Sequence, residues 1–249
     1  MKVLIIGGTG FVGKTVVREL LDRGDQVTIY SRGNSRPDFW AGIQHIQGDR
    51  DQHQQFIADL SGREFDAVID NVAFSVHDAK AVVAAFQGSV SKYLVMSSVS
   101  VYGGIGHAKR WNVQSTGEKP DYLNEFIDLS TSVPIREQYL DLSKVSWKLN
   151  PDLEQYAQGK RQLERYLHET PEFPSVVLRA PIIVGPEARA RRVWWYLERI
   201  QDGREIILRD GGANVFSIGN RDDIAGAIIA AMDSPVTTNR TYNIGHDEI

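Results

Sequence analysis

Two residues four positions apart, Tyr156 and Lys160, have side chains that could carry proton-transfer chemistry. They belong to the segment YAQGK, which has a helical pattern, so both side chains are expected on one face of a helix. An ammonium group near a phenol stabilises the phenolate and lowers the tyrosine pKa towards the range in which it exchanges protons with an alcohol or a carbonyl. The alternative is an ordinary surface pair, because pairs at this spacing are common on helices.

A glycine-rich segment near the start of the chain, GGTGFVGKT at residues 7–15, has the composition of a phosphate-binding loop. Its spacing fits the dinucleotide-binding turn of a Rossmann fold, with glycines at Gly7, Gly10 and Gly13. It also fits a triphosphatase loop in which Lys14 reaches the terminal phosphates and Thr15 holds magnesium. The loop alone leaves both interpretations open, although Phe11 and Val12 extend the apolar stripe of a helix and favour the dinucleotide turn.

The end of the second strand-like run indicates which dinucleotide would bind. The run reads VTIYSRG and ends in Ser31 and Arg32, with no acidic residue. NAD-binding Rossmann proteins tend to carry an acid here for the ribose 2′-hydroxyl, whereas NADP-binding proteins carry an arginine, which can grip the 2′-phosphate with two N–H groups. The sequence therefore predicts NADP, with NAD as the alternative; the other interpretation of Arg32 is a solvated surface residue.

These residues must be positioned by an alternation of short β-branched runs and amphipathic stretches. The predicted strands are Val3–Ile6, Val27–Tyr30, Ile43–Gln47, Ala67–Ile69, Tyr93–Met96, Ser175–Leu178 and Thr241–Ile244. The predicted helices are Phe11–Leu21, Asp51–Leu60, His77–Phe86, Asp152–His168, Val193–Ile200 and Arg221–Met232. The alternation predicts an α/β fold with a doubly wound parallel sheet covered on both faces.

Three regions of different character follow from this pattern. We expect a dinucleotide-binding Rossmann domain over residues 1–180, with a polar and aromatic insertion at about 103–150. A small C-terminal substrate-binding lobe is expected over residues 181–212. Residues 213–249 are expected to return to the Rossmann domain.

Several motifs in chain order resemble the short-chain dehydrogenase/reductase superfamily, in the extended and atypical branch that includes nucleotide-sugar epimerases, dehydratases and isoflavone-reductase-like proteins. They are GGTGFVG, Gly48 with Asp49, SSVSVYG, the Tyr156 and Lys160 pair, RAPIIVGP, RDDIAGAI and YNIG. The resemblance covers almost the whole chain. It decides for the dinucleotide-binding interpretation of the loop, with Lys14 as a solvated helix residue.

The resemblance implies an NAD(P)-dependent oxidoreductase or epimerase acting on a sugar-nucleotide or a small carbonyl or alcohol. Tyr156 would be the acid/base, Lys160 would tune it and hold the nicotinamide ribose, and Ser98 would orient the substrate oxygen. Dehydratases of the family carry an Asp-Glu pair after this serine; Val99 and Ser100 stand there instead, which disfavours sugar dehydration.

Contacts to cofactor and substrate are also implied by the resemblance. The implied cofactor-binding residues are Gly7, Gly10, Phe11, Val12, Gly13, Ser31, Arg32, Asp49, Arg50, Ala73, Lys160 and Pro181. Sugar-nucleotide relatives grip diphosphate and base in the region of Arg189, Arg192 and Trp195, which implies that these three bind substrate. The helix carrying Tyr156 pairs two subunits in many relatives, so the resemblance is compatible with a homodimer.

Composition narrows the remaining function classes. The net charge is −4 with a pI near 5.9, so no overall field attracts nucleic acid or an anionic membrane. The chain has no cysteine, which argues against a metal site with thiolate ligands, and no apolar run approaches the length of a membrane span. We expect a cytoplasmic protein. A non-catalytic NADP-binding sensor and an RNA-associated atypical relative are the alternatives to an enzyme.

Overall fold

A seven-stranded parallel sheet forms the centre of the molecule, in a computed structural model that describes residues 1–103, 135–151, 154–188, 193–207 and 217–245. The strand order is β3-β2-β1-β4-β5-β6-β9, and all six neighbouring pairs are parallel. These strands are β1 (Lys2–Ile6), β2 (Gln26–Ser31), β3 (Gln44–Gln47), β4 (Phe65–Asp70), β5 (Val90–Ser98), β6 (Ser175–Ala180) and β9 (Arg240–Asn243). The predicted doubly wound α/β fold is confirmed.

Helices cover both faces of the sheet because the strands are apolar on both sides. The α-helices in the described ranges are α1 (Phe11–Asp22), α2 (His53–Leu60), α3 (Val76–Phe86), α4 (Gln155–His168), α5 (Trp194–Gln201) and α6 (Arg221–Asp233). Leu4 and Ile6 of β1 pack with α2, α3 and α4, whereas Val3 and Ile5 pack with α1 and α6. This split follows from the alternation of side chains along a strand. None of the helices in the described ranges is long and apolar enough to cross a membrane.

Two short strands that the sequence did not predict form a separate parallel pair. They are β7 (Ile182–Val184) and β8 (Ile218–Asn220). Each has three residues, too few for periodicity to distinguish from a loop. Pro181, which cannot donate a hydrogen bond, separates β7 from β6 and marks the point where the chain leaves the main sheet. The predicted domain limits around this point stay a prediction.

The predicted insertion is described only in its last part, since residues 104–134 lie outside the described residues. The described part contains two short 3₁₀ helices, Glu137–Tyr139 and Leu142–Lys144. Leu140 and Val145 pack against Val101, in a small apolar cluster beside β5. This part of the insertion therefore packs against the end of the strand that carries Ser98.

A buried ion pair between Glu164 of α4 and Arg179 of β6 fixes the helix to the sheet. The two side chains are 0% and 1% exposed, and Arg179 Nη2 donates to Glu164 Oε2 at 2.6 Å. Arg179 Nε donates to both carboxylate oxygens, at 3.2 and 3.0 Å. Ser97 Oγ of β5 donates to Glu164 Oε1 at 2.5 Å. One carboxylate thus joins a helix to two neighbouring strands.

The same arginine extends this connection to the end of β5. Arg179 Nη1 donates to Tyr102 Oη at 2.5 Å, and Tyr102 Oη donates to Asn243 Oδ1 of β9 at 2.8 Å. Tyr102 ends the 3₁₀ helix Val99–Tyr102, which begins directly after Ser98. The pair therefore holds the segment that follows Ser98 as well as the helix that carries Tyr156 and Lys160.

Replacing Glu164 by glutamine should destabilise the protein strongly, because the charge of Arg179 stays buried without its counter-ion. We expect Glu164→Gln to lower the free energy of unfolding by about 3 to 5 kcal/mol, measured by urea denaturation. Glu169→Gln is the matched control, since Glu169 pairs with Arg165 at the exposed end of the same helix, at 2.7 Å. That change should cost about 1 kcal/mol or less. Equal losses in the two variants would contradict the structural role of the buried pair.

Candidate active site

A cleft of about 1130 Å³ opens at the carboxyl ends of the strands, where the strand order reverses between β1 and β4. Ligands of doubly wound sheets bind at such a switch point. One end of the cleft is formed after β2 and β3, the middle by the glycine loop after β1, and the other end after β5 and β6. Predicted site residues that line it are Gly7, Gly10, Phe11, Ser31, Arg32, Asp49, Arg50, Ser98, Tyr156 and Pro181.

The glycine loop has the geometry of a dinucleotide-binding turn. Gly7 has a φ of +84°, and a Cβ there would lie 2.7 Å from Val72 Cγ1. A Cβ on Gly13 would lie 2.4 Å from the Gly7 carbonyl oxygen, so only glycine lets α1 approach the turn this closely. Because α1 begins at Phe11, directly after Gly10, the N–H groups of its first turn have no acceptor within the helix. This turn fits the diphosphate of a dinucleotide.

The end of the cleft after β2 carries hydroxyl, amide and guanidinium groups. Ser31, Arg32, Gly33, Asn34 and Ser35 line it. The Ser31 hydroxyl lies 3.1 Å from His45 Nε2. The Arg32 carbonyl accepts from Gln47 Nε2 at 3.4 Å. Strand β2 ends at Ser31 and Arg32 follows it, so the predicted cation lies at the position that reads the ribose 2′ group in Rossmann proteins.

Arg50 lines this end of the cleft, but its guanidinium is directed into the protein. Its Nη2 donates to Asp70 Oδ2 at 3.1 Å and to the Asp78 carbonyl at 2.8 Å. The guanidinium carbon lies 4.3 Å from the centre of the Phe56 ring. The side chain is therefore anchored beneath the cleft, whereas Asp49 and Asp51, on either side of it in the chain, line the cleft with it.

Lys160 is buried beside the opposite end of the cleft and does not itself line it; its ammonium is held by two backbone carbonyls. It donates to the oxygens of Ala73 and Met96, each at 2.6 Å. An ammonium has three donors, and these two hydrogen bonds use two of them. Burial lowers the pKa of Lys160 to about 8, while the carboxylates of Asp70, Glu164 and Asp78 act in the opposite direction. Ala73, predicted to bind cofactor, is itself buried and contributes its carbonyl to this site.

Tyr156 lies above this ammonium and faces the cleft. Its side chain is 40% exposed, and Lys160 Nζ lies 5.7 Å from the centre of its ring. The ring of Phe74 lies 6.1 Å from that of Tyr156 and 4.9 Å from the ammonium. A Cβ on Gly159 would lie 2.4 Å from the Phe74 carbonyl, so this glycine allows α4 to pack against the loop after β4. The predicted spacing of Tyr156 and Lys160 thus produces a phenol over a buried ammonium.

Ser98 faces the same end of the cleft and caps the following 3₁₀ helix. Its Oγ accepts from the Ser100 N–H at 3.1 Å and donates to Ser100 Oγ at 3.0 Å. Ser100 also lines the cleft, as does Glu154 at the start of α4. Sequence reasoning did not assign these two residues to the site; their position directly beside Ser98 and Tyr156 in the chain was the available signal.

The remaining predicted site residues are placed differently. Val12 and Gly13 lie in the first turn of α1 but do not line the cleft. Trp195 of α5 is 41% exposed and does not line the cleft; its ring contacts the Tyr196 ring and the Arg199 guanidinium, with centre distances of 4.9 and 4.6 Å. Arg189 and Arg192 lie outside the described residues. The binding roles assigned to all these residues stay predictions.

Lys14, interpreted from the sequence as a solvated helix residue, lies in α1 with its side chain 29% exposed. It lines the cleft beside the glycine loop, and its ammonium lies 3.6 Å from a carboxylate oxygen of Glu187, in the turn after β7. Neither residue was assigned to the site from the sequence. The phosphate-loop pattern indicated Lys14, but the partner could not be inferred because it lies far away in the sequence.

Curated relatives match the chain along most of its length at low identity. The chloroplast stem-loop binding protein of 41 kDa b from Arabidopsis thaliana is 23% identical, over 99% of this chain and 59% of its own length. Bifunctional pinoresinol-lariciresinol reductase 3 from Thuja plicata is 22% identical, over 98% and 69%. The chain therefore spans about three fifths of the first relative and about two thirds of the second.

Solved structures share the fold. The UDP-glucose 4-epimerase of Thermotoga maritima, with UDP-glucose, has a TM-score of 0.69 at 20% identity and matches 98% of this chain and 77% of that one. The Bordetella bronchiseptica enzyme WbmG, in complex with NAD and UDP, has a TM-score of 0.70 at 17% identity, over 98% and 72%. A short-chain dehydrogenase/reductase superfamily protein from Agrobacterium tumefaciens, with bound NAD, has a TM-score of 0.66 at 18% identity, over 99% and 78%.

Almost the whole sequence matches the model of one protein family. A family model described as the NAD dependent epimerase/dehydratase family matches residues 3–245. This match excludes the triphosphatase interpretation of the glycine loop and confirms the resemblance to short-chain dehydrogenases/reductases. The chain belongs to the NAD dependent epimerase/dehydratase family.

Proposed function

We propose that the protein is an NAD(P)-dependent oxidoreductase or epimerase that uses Ser98, Tyr156 and Lys160 on a sugar-nucleotide or a small carbonyl or alcohol. The observation that carries this proposal is that the exposed Tyr156 ring, which lines the same cleft as the glycine turn, lies over the buried Lys160 ammonium. Proton transfer needs a side chain whose pKa the surroundings can shift. Tyr156 is such a side chain, and it lines the same cleft as the glycine turn that fits the diphosphate. The ligands named in the neighbouring structures, NAD with UDP or UDP-glucose, support a nucleotide-sugar substrate.

Tyr156 is proposed as the group that gives a proton to the substrate oxygen or takes one from it. The Lys160 ammonium favours the phenolate electrostatically, which makes the phenol a better acid. The two carbonyls that bind this ammonium fix its position, and its third N–H is proposed to bind the ribose of the cofactor. The bound nicotinamide supplies the hydride chemistry, which no protein side chain can supply.

Ser98 is proposed to orient the substrate oxygen beside Tyr156. Its hydroxyl proton is directed at Ser100 Oγ, and a substrate oxygen would take the place of that acceptor. The Ser100 N–H would continue to bind Ser98 Oγ and hold the side chain in place. Because the buried pair of Glu164 and Arg179 fixes the end of β5, Ser98 needs little reorganisation when substrate binds.

NADP is proposed as the preferred cofactor. The support is Arg32 at the end of β2, in the cleft and without an acid beside it on that strand end. Glycine residues of the turn would hold the diphosphate, and Ser31 and Arg32 would contact the 2′ group of the adenosine ribose. Family members with NAD bound make NAD the competing choice.

The two non-catalytic alternatives explain less of the site. A sensor that only binds NADP has no chemical need for a phenol over a buried ammonium. The first relative's name, a stem-loop binding protein, supports the RNA-associated alternative, but the net charge of −4 opposes attraction to a polyanion. The enzymatic proposal explains the residues at both ends of the cleft and the glycine turn between them, so we prefer it.

Removing the Tyr156 hydroxyl should abolish proton transfer without affecting cofactor binding. We expect Tyr156→Phe to lower kcat by about 100- to 10,000-fold, followed by nicotinamide absorbance for the reduction of small ketones and by chromatography of the products for the epimerisation of UDP-sugars. Tyr166→Phe is the matched control, because Tyr166 lies on the same helix but packs near Lys80, outside the cleft. A wild-type protein that binds NADPH and turns over no member of the panel would instead favour the sensor.

The choice between cofactors should depend on Arg32. We expect wild-type protein to bind NADPH more tightly than NADH, and Arg32→Ala to lose about 10-fold or more in NADPH affinity through the lost charged hydrogen bonds. Affinity for NADH should change little, as measured by calorimetric titration. Arg36→Ala, which removes a nearby cation beside Trp40, is the control. Equal losses for the two cofactors, or tighter NADH binding by the wild type, would contradict NADP preference.

Activity should fall in alkaline solution as Lys160 loses its proton. Burial lowers the pKa of this ammonium to about 8, so above that pH the phenolate of Tyr156 loses its stabilising charge. We expect kcat/KM, which reports groups of the free enzyme, to decline above about pH 8. A plateau extending to about pH 10, where an ordinary lysine titrates, would show that Lys160 is not the controlling group.

A further inference from the structure

An ion pair joins the glycine-loop helix to the turn after β7 at the cleft. Lys14 is the fourth residue of α1, and its Nζ lies 3.6 Å from Glu187 Oε2. Both residues line the cleft, with side chains 29% and 63% exposed. The pair therefore lies beside the glycine turn that fits a diphosphate, and Lys14 belongs to the helix that begins directly after this turn.

The backbone around Glu187 holds the carboxylate in this position. Glu187 has a φ of +67°, a left-handed conformation that is unfavourable for a residue with a Cβ. The neighbouring Gly185 lies against Phe11, and Arg221 Nη1 donates to the Pro186 carbonyl at 3.1 Å. The turn is thus fixed against the starts of α1 and α6. This strained conformation persists in a place where it brings an acid to Lys14.

The charges that line the cleft give Lys14 a distinct position. Of the lysines and arginines that line it in the described ranges, Arg50 is bound to Asp70 beneath the surface and Arg32 lies at the adenosine end. Lys14 is the cation that remains at the glycine turn. Its partner is a single exposed carboxylate, and exposed ion pairs contribute little free energy. A diphosphate carries more negative charge and would displace such a partner.

We propose that Lys14 is a further binding residue for the cofactor diphosphate and that Glu187 competes with the diphosphate for its ammonium. This inference rests on the proposed function, because it assumes that a dinucleotide occupies the cleft. Without ligand, Glu187 keeps the ammonium at the cleft. When the diphosphate binds, Lys14 exchanges the carboxylate for phosphate oxygens, and Glu187 turns to solvent.

Calorimetric titration with three probes tests this exchange in the whole protein. NADPH and ADP carry a diphosphate, whereas adenosine 2′-monophosphate occupies only the adenosine end. We expect Lys14→Met to weaken NADPH and ADP binding by about 10-fold, the effect of one charged hydrogen bond, and to leave adenosine 2′-monophosphate binding unchanged. Glu187→Gln should tighten binding of the two diphosphates several-fold, and this gain should disappear in the Lys14→Met background.

Arg18→Met is the control variant, because Arg18 lies one turn further along α1 and pairs with Asp38 outside the cleft. It should leave all three affinities unchanged. Unchanged ADP affinity in Lys14→Met, with a wild type that binds the probes, would overturn the role of Lys14 and leave the proposed function intact. Weaker diphosphate binding in Glu187→Gln would overturn the competition. A wild type that binds none of NADPH, NADH and ADP would instead overturn the proposed function.

Discussion

The buried ion pair of Glu164 and Arg179 is the interaction on which the rest of the site depends. Removing two charges from water is expensive, and the cost is met only because the arginine binds the carboxylate through several hydrogen bonds and both partners have further ones. The geometry is therefore specific: one arrangement of α4, β5 and β6 satisfies all these groups. The packing of apolar residues between helix and sheet would tolerate small shifts, whereas this network does not.

Lys160 lies one helical turn before Glu164, so the ion pair of Glu164 and Arg179 also fixes the position of Lys160. Its ammonium is enclosed between the loop after β4 and the end of β5, where two carbonyl oxygens replace its hydration. Gly159 permits this close approach, since a Cβ there would collide with the Phe74 carbonyl. Burial lowers the pKa of this ammonium to about 8, so it loses its proton at a lower pH than an exposed lysine does.

Three groups of residues with different chemistry lie in different parts of the cleft, along the carboxyl edge of the sheet. Backbone N–H groups and glycines at the end of β1 suit phosphate, and polar groups after β2 suit the adenosine ribose. The Ser98 hydroxyl at the end of β5 and the Tyr156 phenol of α4, which lies over the buried Lys160 ammonium, suit proton transfer. Parallel strands place all these loops at one edge, so residues separated by more than a hundred positions share one cavity. Lys14 and Glu187 add a charged contact between the middle of this cavity and the turn after β7.

The sequence by itself determined the features that depend on neighbours in the chain. The strand and helix alternation, the glycine turn with its helix, and the placement of Tyr156 and Lys160 on one helix face all follow from local spacing, and the family followed from motifs in order. Tertiary structure alone decided the contacts between distant segments. Arg50, which the family resemblance implied as a cofactor ligand, donates to the buried carboxylate of Asp70 in β4, a contact that no local pattern indicates. The partners of Lys160 and Lys14 come from separate loops that only the folded sheet brings together, because the local pattern of a sequence does not specify which distant backbone or carboxylate will face a side chain.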